Sequence, residues 1–189
     1  MSQIKATYVD HMGSDISVVN AARVSFGKTS EMICVDHQIG TWDLKPGDKK
    51  LISYLAKHGH TSPFGHAFAT FHIKVPVFVA RQLVKHKFLR INEISRRYVD
   101  TDIELYHPEV WRGRSADKKQ GSDGTVKLSY VNLAHDMTEA VIKDYEYLLE
   151  QGVAPEMARM VLPQSMMTEF YWSGSLDAFA AMANLRLKD

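Results

Sequence analysis

Phe68-Ala69-Thr70-Phe71-His72-Ile73-Lys74-Val75, followed at once by Pro76-Val77-Phe78-Val79-Ala80-Arg81-Gln82-Leu83-Val84-Lys85-His86-Lys87, decides how this chain folds. From Ala67 to Val75 the apolar positions Ala69, Phe71, Ile73 and Val75 alternate with Phe68, Thr70, His72 and Lys74. That period of two predicts a strand with one buried face. Pro76 suits the opening turn of a helix, and the helix is expected to run to about Lys87. Val77, Ala80 and Val84 turn inward on it, and Arg81 and Lys85 point elsewhere. Residues 88 to 98 then read as a structured loop.

Outward from this strand and helix the pattern is mixed. Ile4 to Val9 reads as a short strand and Ile16 to Val24 as a helix. Residues 27 to 48 mix Gly, Lys, Thr, Asp and Pro around Cys34 and Trp42, an irregular surface excursion. A helix is expected over Pro46 to Lys57, where Leu51, Ile52 and Leu55 share helical spacing. Arg112 to Gly124, rich in Lys, Ser, Asp and Gly, reads as a second surface loop. A long amphipathic helix over Lys127 to Gln151 carries the stripe Val131, Ala134, Thr138, Val141, Tyr145 and Leu148, with Gly152 as its stop. Pro155 opens a short helix to Leu162, Met167 to Trp172 reads as a strand, and Ser175 caps a terminal helix to Leu187. Strands and helices intersperse without regular alternation, which predicts an α+β class and a mixed sheet flanked by helices.

The totals narrow the function classes. The 189 residues suit one domain over residues 1–189, and 45% hydrophobic with 24% charged residues is the composition of a globular protein. Lys plus Arg number 23 against 22 Asp plus Glu, so there is no global pull toward nucleic acid or anionic membrane, and any basic site is local. The one cysteine, Cys34, cannot form an internal disulfide, which suits a reducing compartment. Met1 to Asp10 lacks the apolar run of a signal peptide, and no stretch approaches the roughly 20 apolar residues of a membrane span. The expected location is the cytoplasm.

The densest polar stretch is Arg81 to Tyr98. Its cations Arg81, Lys85, Lys87, Arg90, Arg96 and Arg97 are interleaved with Phe88, Leu89, Ile91 and Ile94, which points to a folded loop that holds anionic groups. The bland alternative is a solvated helix end with cations near the negative dipole terminus. Upstream, His58-Gly59-His60-Thr61-Ser62-Pro63-Phe64-Gly65-His66 raises a zinc reading, but no standard ligand spacing is present. A turn whose His and Ser meet a ligand fits better, and no metal is expected. Arg159 on a short apolar helix and Arg186 near the end would, taken singly, be surface residues.

Together these features resemble the flavin-dependent thymidylate synthases. The string Lys85-His86-Lys87-Phe88-Leu89-Arg90-Ile91-Asn92-Glu93-Ile94-Ser95-Arg96-Arg97-Tyr98 is similar to the family signature, matching it at His86, Asn92, Glu93, Ser95, Arg97 and Tyr98. Ala21-Ala22-Arg23-Val24-Ser25-Phe26, the His58–Phe64 segment, Val79-Ala80-Arg81-Gln82, Ala158-Arg159 with Val161-Leu162-Pro163, and Leu185-Arg186 resemble the family in the same order.

The resemblance implies reductive methylation of dUMP to dTMP, with FAD reduced by NADPH and 5,10-methylenetetrahydrofolate as carbon donor. It implies a twisted mixed sheet with flanking helices, and a homotetramer with its sites where subunits meet. Arg81, Gln82, Lys85, Glu93, Ile94, Ser95, Arg96, Arg97, Arg159 and Arg186 would line the dUMP site. His60, Ser62, Lys85, His86, Lys87 and Glu93 would line the FAD site. Arg186 would be the catalytic cation beside the pyrimidine.

The chain departs from the family pattern at Lys85 and Lys87, where Arg is usual, at Arg90, where Ser is usual, and at Asp177, where an Arg is common. A C-terminal helical segment usual in the family is expected to be missing from these residues. Trp111-Arg112 and Lys119-Gln120-Gly121-Ser122 look like virus-encoded members, for which the location would be the host cytoplasm. The alternatives are a degenerate member that binds nucleotide without turnover, and a nucleic-acid-binding module built on loop 81–98. Neither membrane nor nucleic acid is the expected partner.

Overall fold

The structure, a computed structural model, describes residues 3–117, 121–130 and 133–187. It begins with β1 (Lys5–Met12) and α1 (Asp15–Arg23), then β2 (Ile33–Asp36), β3 (Thr41–Asp43) and α2 (Pro46–Lys57). Next come β4 (Phe68–Pro76), α3 (Val77–Leu83), β5 (Arg90–Glu93), β6 (Trp111–Arg114) and β7 (Ser122–Val126). The rest is α4 (Leu133–Glu150), α5 (Pro155–Ala158), β8 (Met167–Ser175) and α6 (Leu176–Arg186). One sheet has the order β1-β4-β8-β5, and β2-β3 and β6-β7 are antiparallel hairpins. This is an α+β fold.

The chain forms two compact units. The first comprises Met1–Lys5, Lys74–Gln82 and Glu93–Glu169, the second Ala6–Ile73, Leu83–Asn92 and Phe170–Asp189.

In the first unit, α4 packs against α5 and the 3₁₀ turn that follows it. The stripe predicted for α4 is its less exposed side (its member Val131 lies outside the described residues, as do Lys119 and Gln120). Tyr145 is fully buried at its centre and donates its hydroxyl to the carbonyl of Asp100 at 3.2 Å. Burial, followed by the field of Asp100, pushes this phenol above its usual range. Gly152 ends the helix in the left-handed region at φ 82°, and Val153 donates back to Leu148 at 3.0 Å, so the last carbonyls are satisfied. Pro76 is fully buried at the end of β4, and the next two N–H groups, of Val77 and Phe78, donate to Met166 and Gln164.

The second unit is built around Val18, Val19, Leu55, Phe170 and Trp172. Phe179 meets both Phe71 and Trp172 edge-on, with centroids 5.4 and 5.3 Å away, a favoured aromatic geometry. Asp48 is fully buried but pairs with the Arg23 guanidinium and accepts from Ser30 Oγ at 2.5 Å. Burial alone would raise its pKa; the Ser30 and Arg23 hydrogen bonds outweigh that and hold the carboxyl below its ordinary range.

Five regions differ from the sequence expectation. The helix after Pro76 stops at Leu83 rather than Lys87, because His86 N–H closes a turn onto Leu83 and Phe88 takes a left-handed φ of 68°. Residues 90–93, expected as loop, form β5. Both irregular excursions contain a short hairpin instead. Ser175 occupies the N-cap of α6 but makes no side-chain cap bond.

Candidate active site

The expected site residues fall in both units. In the first unit, Ile94 N–H donates to the carbonyl of Glu169 at 2.9 Å, and the Glu93 carboxylate accepts from Thr168 Oγ at 2.5 Å. Thr168 is only 4% exposed, so Glu93 is pinned to a rigid strand although its own side chain reaches solvent. The chain then turns sharply. Tyr98 and Val99 both donate to the Ser95 carbonyl at 3.0 Å, and Arg97 N–H reaches Ser95 Oγ at 3.3 Å. Ser95 therefore shapes the turn that presents Arg97. Arg96 donates to the carbonyls of Val99 and Thr101, at 3.2 and 2.9 Å, and so closes the same loop. Lys74, Ile94, Arg96, Glu104, Met167 and Thr168 contribute to the wall of a cavity of about 170 Å³.

Arg97 lies 3.2 Å from the carboxylate of Glu156, at the start of α5, and its guanidinium sits 5.9 Å from the Tyr98 ring centroid. Arg159 Nε donates to the backbone carbonyl of the same Glu156 at 3.3 Å. Two of the arginines expected to line the dUMP site are thus tied to one residue that sequence reasoning did not single out. Arg81 and Gln82 lie on α3, exposed.

In the second unit, Arg186, in the last turn of α6, donates from Nε to Nε2 of His86 at 3.0 Å. The acceptor role requires that this nitrogen carry no proton. Burial, reinforced by the Arg186 charge, holds the imidazole below the usual histidine range and favours that neutral form. Lys85 and Lys87 flank it, both exposed, and among the described residues no carboxylate pairs with either. The 3₁₀ turn Ser62–His66 packs against α6. The Cβ that a side chain at Gly65 would add comes 3.9 Å from Asp177 Oδ1, a buried atom with no hydrogen-bond partner among the described residues. His60 stacks on Tyr54 with the rings 17° apart, and His58 lies 4.3 Å from the same ring.

Gly174 on β8 makes room for the turn after His86. A Cβ there would overlap Leu89 Cδ2 and lie 3.2 Å from the Phe88 carbonyl. Leu89 is buried and Phe88 is exposed, so the tight approach anchors one side chain and turns the other outward.

Residues 7–189 match the family described as thymidylate synthase complementing protein. A flavin-dependent thymidylate synthase of Kosmotoga olearia is 44% identical over 185 residues, covering 94% of this chain and 74% of its own length. The chain belongs to the flavin-dependent thymidylate synthase family. A second synthase, from Thermus thermophilus, is 42% identical over 180 residues, 95% of this chain and 62% of that relative. The chain therefore spans between about three fifths and three quarters of the length of these two synthases. Among solved structures, the UMP/dUMP methylase PolB of Streptomyces cacaoi bound with 5-Br dUMP superimposes with a TM-score of 0.80 at 30% identity, covering 98% of this chain and 79% of that one.

Among synthase features that the sequence left unread, Glu156, Thr168 and Gly174 are the clearest. Gly174 stood in view beside the departure at Asp177, and its signal was a glycine within a strand, where a close approach of another segment is a common reason for it. Thr168 and Glu156 gave no such signal, since their roles come from partners 75 and 59 residues away (168 − 93 and 156 − 97).

Proposed function

We infer that this chain methylates C5 of dUMP to form dTMP, using a bound flavin. We further propose that the flavin is FAD reduced by NADPH, that 5,10-methylenetetrahydrofolate supplies the carbon, and that the working form is a homotetramer with its sites at subunit interfaces. Family membership supports the reaction. The observation that carries the reading is the Arg186–His86 contact at 3.0 Å, which joins two motif residues 100 positions apart.

The residues fit an FAD. Its pyrophosphate needs cations, and Lys85 and Lys87 are exposed with no carboxylate partner among the described residues. His60 and Ser62 come from a turn in the same unit. When bound, the flavin supplies the hydride that completes the methyl group.

The chain's own residues do the rest. Uracil C5 becomes nucleophilic only when electron density is pushed into the ring, which places negative charge on N3 and O4. Arg186 stabilises that charge with a guanidinium whose orientation is fixed by the neutral His86 acceptor. Arg97 and Arg159 hold the nucleotide phosphate, as charge-assisted donors do. Ser95 holds the turn and hydrogen-bonds the nucleotide, and Glu93, steadied by Thr168, fixes the strand end beside it. Arg96 belongs to this site as the loop's closing element, Ile94 as part of its wall, and Arg81 and Gln82 as the helix-borne polar groups.

The test is dTMP formation by the protein with dUMP, FAD, NADPH and 5,10-methylenetetrahydrofolate, together with its visible spectrum after adding FAD and desalting. Retained flavin absorbance and dTMP are expected. Ser95→Ala should raise the dUMP Kd yet still form dTMP. No retained flavin and no dTMP overturns the reading, whereas flavin and dUMP bound without product supports a member that has lost turnover.

A further inference from the structure

Outside the residues used above, the first unit brings together three metal-ligand side chains. His107 lies in the segment before β6, and His135 and Glu139 are four apart on α4. Such a spacing puts both on one helix face, about a turn apart. One ligand atom from each lies within 4.8 Å of the other two. The imidazoles of His107 and His135 face each other at 4.6 Å between centroids, tilted by 35°.

We propose that His107, His135 and Glu139 form a binding site for one divalent cation of the zinc class. Two imidazole nitrogens and a carboxylate oxygen are the donor set that zinc takes in open three-ligand sites, with water in the fourth position. The set disfavours magnesium and calcium, which demand oxygen ligands. Zinc–ligand bonds of about 2.0–2.1 Å place tetrahedral ligand atoms about 3.3 Å apart. The present spread closes to that with rotation of exposed side chains, for His135 and Glu139 are exposed and His107 is half-buried. Asp136, 3.6 Å from His135 Nδ1, adds negative charge beside the site.

The position gives the ion a structural role. The segment 100–107 follows the Ser95–Val99 turn and is already tied to α4 by the Tyr145–Asp100 hydrogen bond. A zinc ion on His107 and α4 would tie the same segment a second time, nearer the start of that helix. The proposal does not rest on the methyl-transfer reading, since it concerns the first unit's own packing.

The experiment is a Co²⁺ titration of the chelator-treated full chain, followed by zinc competition. One Co²⁺ per chain is expected, with the visible absorption of a low-symmetry nitrogen–oxygen site, displaced by zinc and unaffected by Mg²⁺. Zinc should also raise the melting temperature. His135→Ala and Glu139→Gln should each weaken binding at least about 10-fold, while His58→Ala leaves it unchanged. Glu139→Gln keeps the shape of an exposed helix residue, so its far-UV spectrum should match the parent. Wild-type affinity in both site variants, weakening in His58→Ala, or no saturable binding at all overturns the proposal.

Discussion

In the first unit Arg97 faces the carboxylate of Glu156 at 3.2 Å, and Arg159 donates to that residue's backbone. In the second unit Arg186 donates to the ring nitrogen of a histidine at 3.0 Å. A guanidinium on a carboxylate is already neutralised, and a phosphate bound there, as proposed, would have to take over from the acid. Both partners are about half exposed, so the exchange is cheap: such a pair contributes about 0.2–1 kcal/mol. A neutral imidazole, by contrast, brings no negative charge of its own to the guanidinium that it orients. The first arrangement suits reversible capture of an anion, the second suits charge that develops only during a reaction.

Arg186→Ala tests the second arrangement most directly. Loss of one such donor costs about 10²–10³-fold in kcat, measured as dTMP formed. A change confined to KM would show that Arg186 merely binds, and the contrast between the units would collapse.

Gly174→Ala probes the packing that places the turn after His86. The new Cβ would overlap Leu89, and overpacking of this kind costs about 1–3 kcal/mol of stability by denaturant titration. An unchanged midpoint would mean that Leu89 moves aside freely.

The imidazole adds a pH signature. His86 titrates below its unfolded value, near 6.5, first through burial and then through the Arg186 charge. As pH falls through 6.5 the unfolded chain takes the proton before the folded one, so this group lowers stability on acidification and has no effect above neutrality. Once protonated, its ring nitrogens are both donors and the Arg186 contact is lost. The acid limb of kcat should therefore lie below pH 6.5, and His86→Gln should abolish that limb. A limb persisting in the variant assigns it to another group.

Lys85→Arg with Lys87→Arg should tighten FAD binding by about 1 kcal/mol, since the planar guanidinium grips phosphate with two parallel bonds. Weaker binding would show that the site is fitted around lysine. The smallest effect is expected for Glu156→Gln. With its competitor gone, Arg97 should bind dUMP about 2–5-fold more tightly by calorimetry. A rise in Kd would mean that Glu156 aims Arg97 instead of competing for it.

How far the sequence could be read follows the same divide between local and distant causes. α2 is found at its expected bounds, because Pro46 and the spacing of Leu51, Ile52 and Leu55 are local signals. β4 was legible from its alternation, and Ile73 and Val75 are indeed buried. The hairpin β2–β3 was not, since its strands are three and four residues long and largely exposed, leaving no buried face to write a pattern. β5 reads Arg-Ile-Asn-Glu, polar enough to pass for loop; its place in the sheet comes from β8 beside it. The motif residues of the candidate site were visible as types, but the tethering of Arg97 to Glu156 and of His86 to Arg186 depends on where distant segments meet. His107 and His135 went unremarked for the same reason, 28 residues apart (135 − 107) with no motif between them.

The separation of 100 residues between His86 and Arg186 also sets a clock. A ribosome adds about 5–20 residues per second, so the histidine exists for roughly 5–20 s before its arginine is made. Throughout that interval the basic stretch around Lys85 and Lys87 is present without the partner that completes it. On the role proposed for Arg186, the site stays incomplete until the last turn of α6 is made.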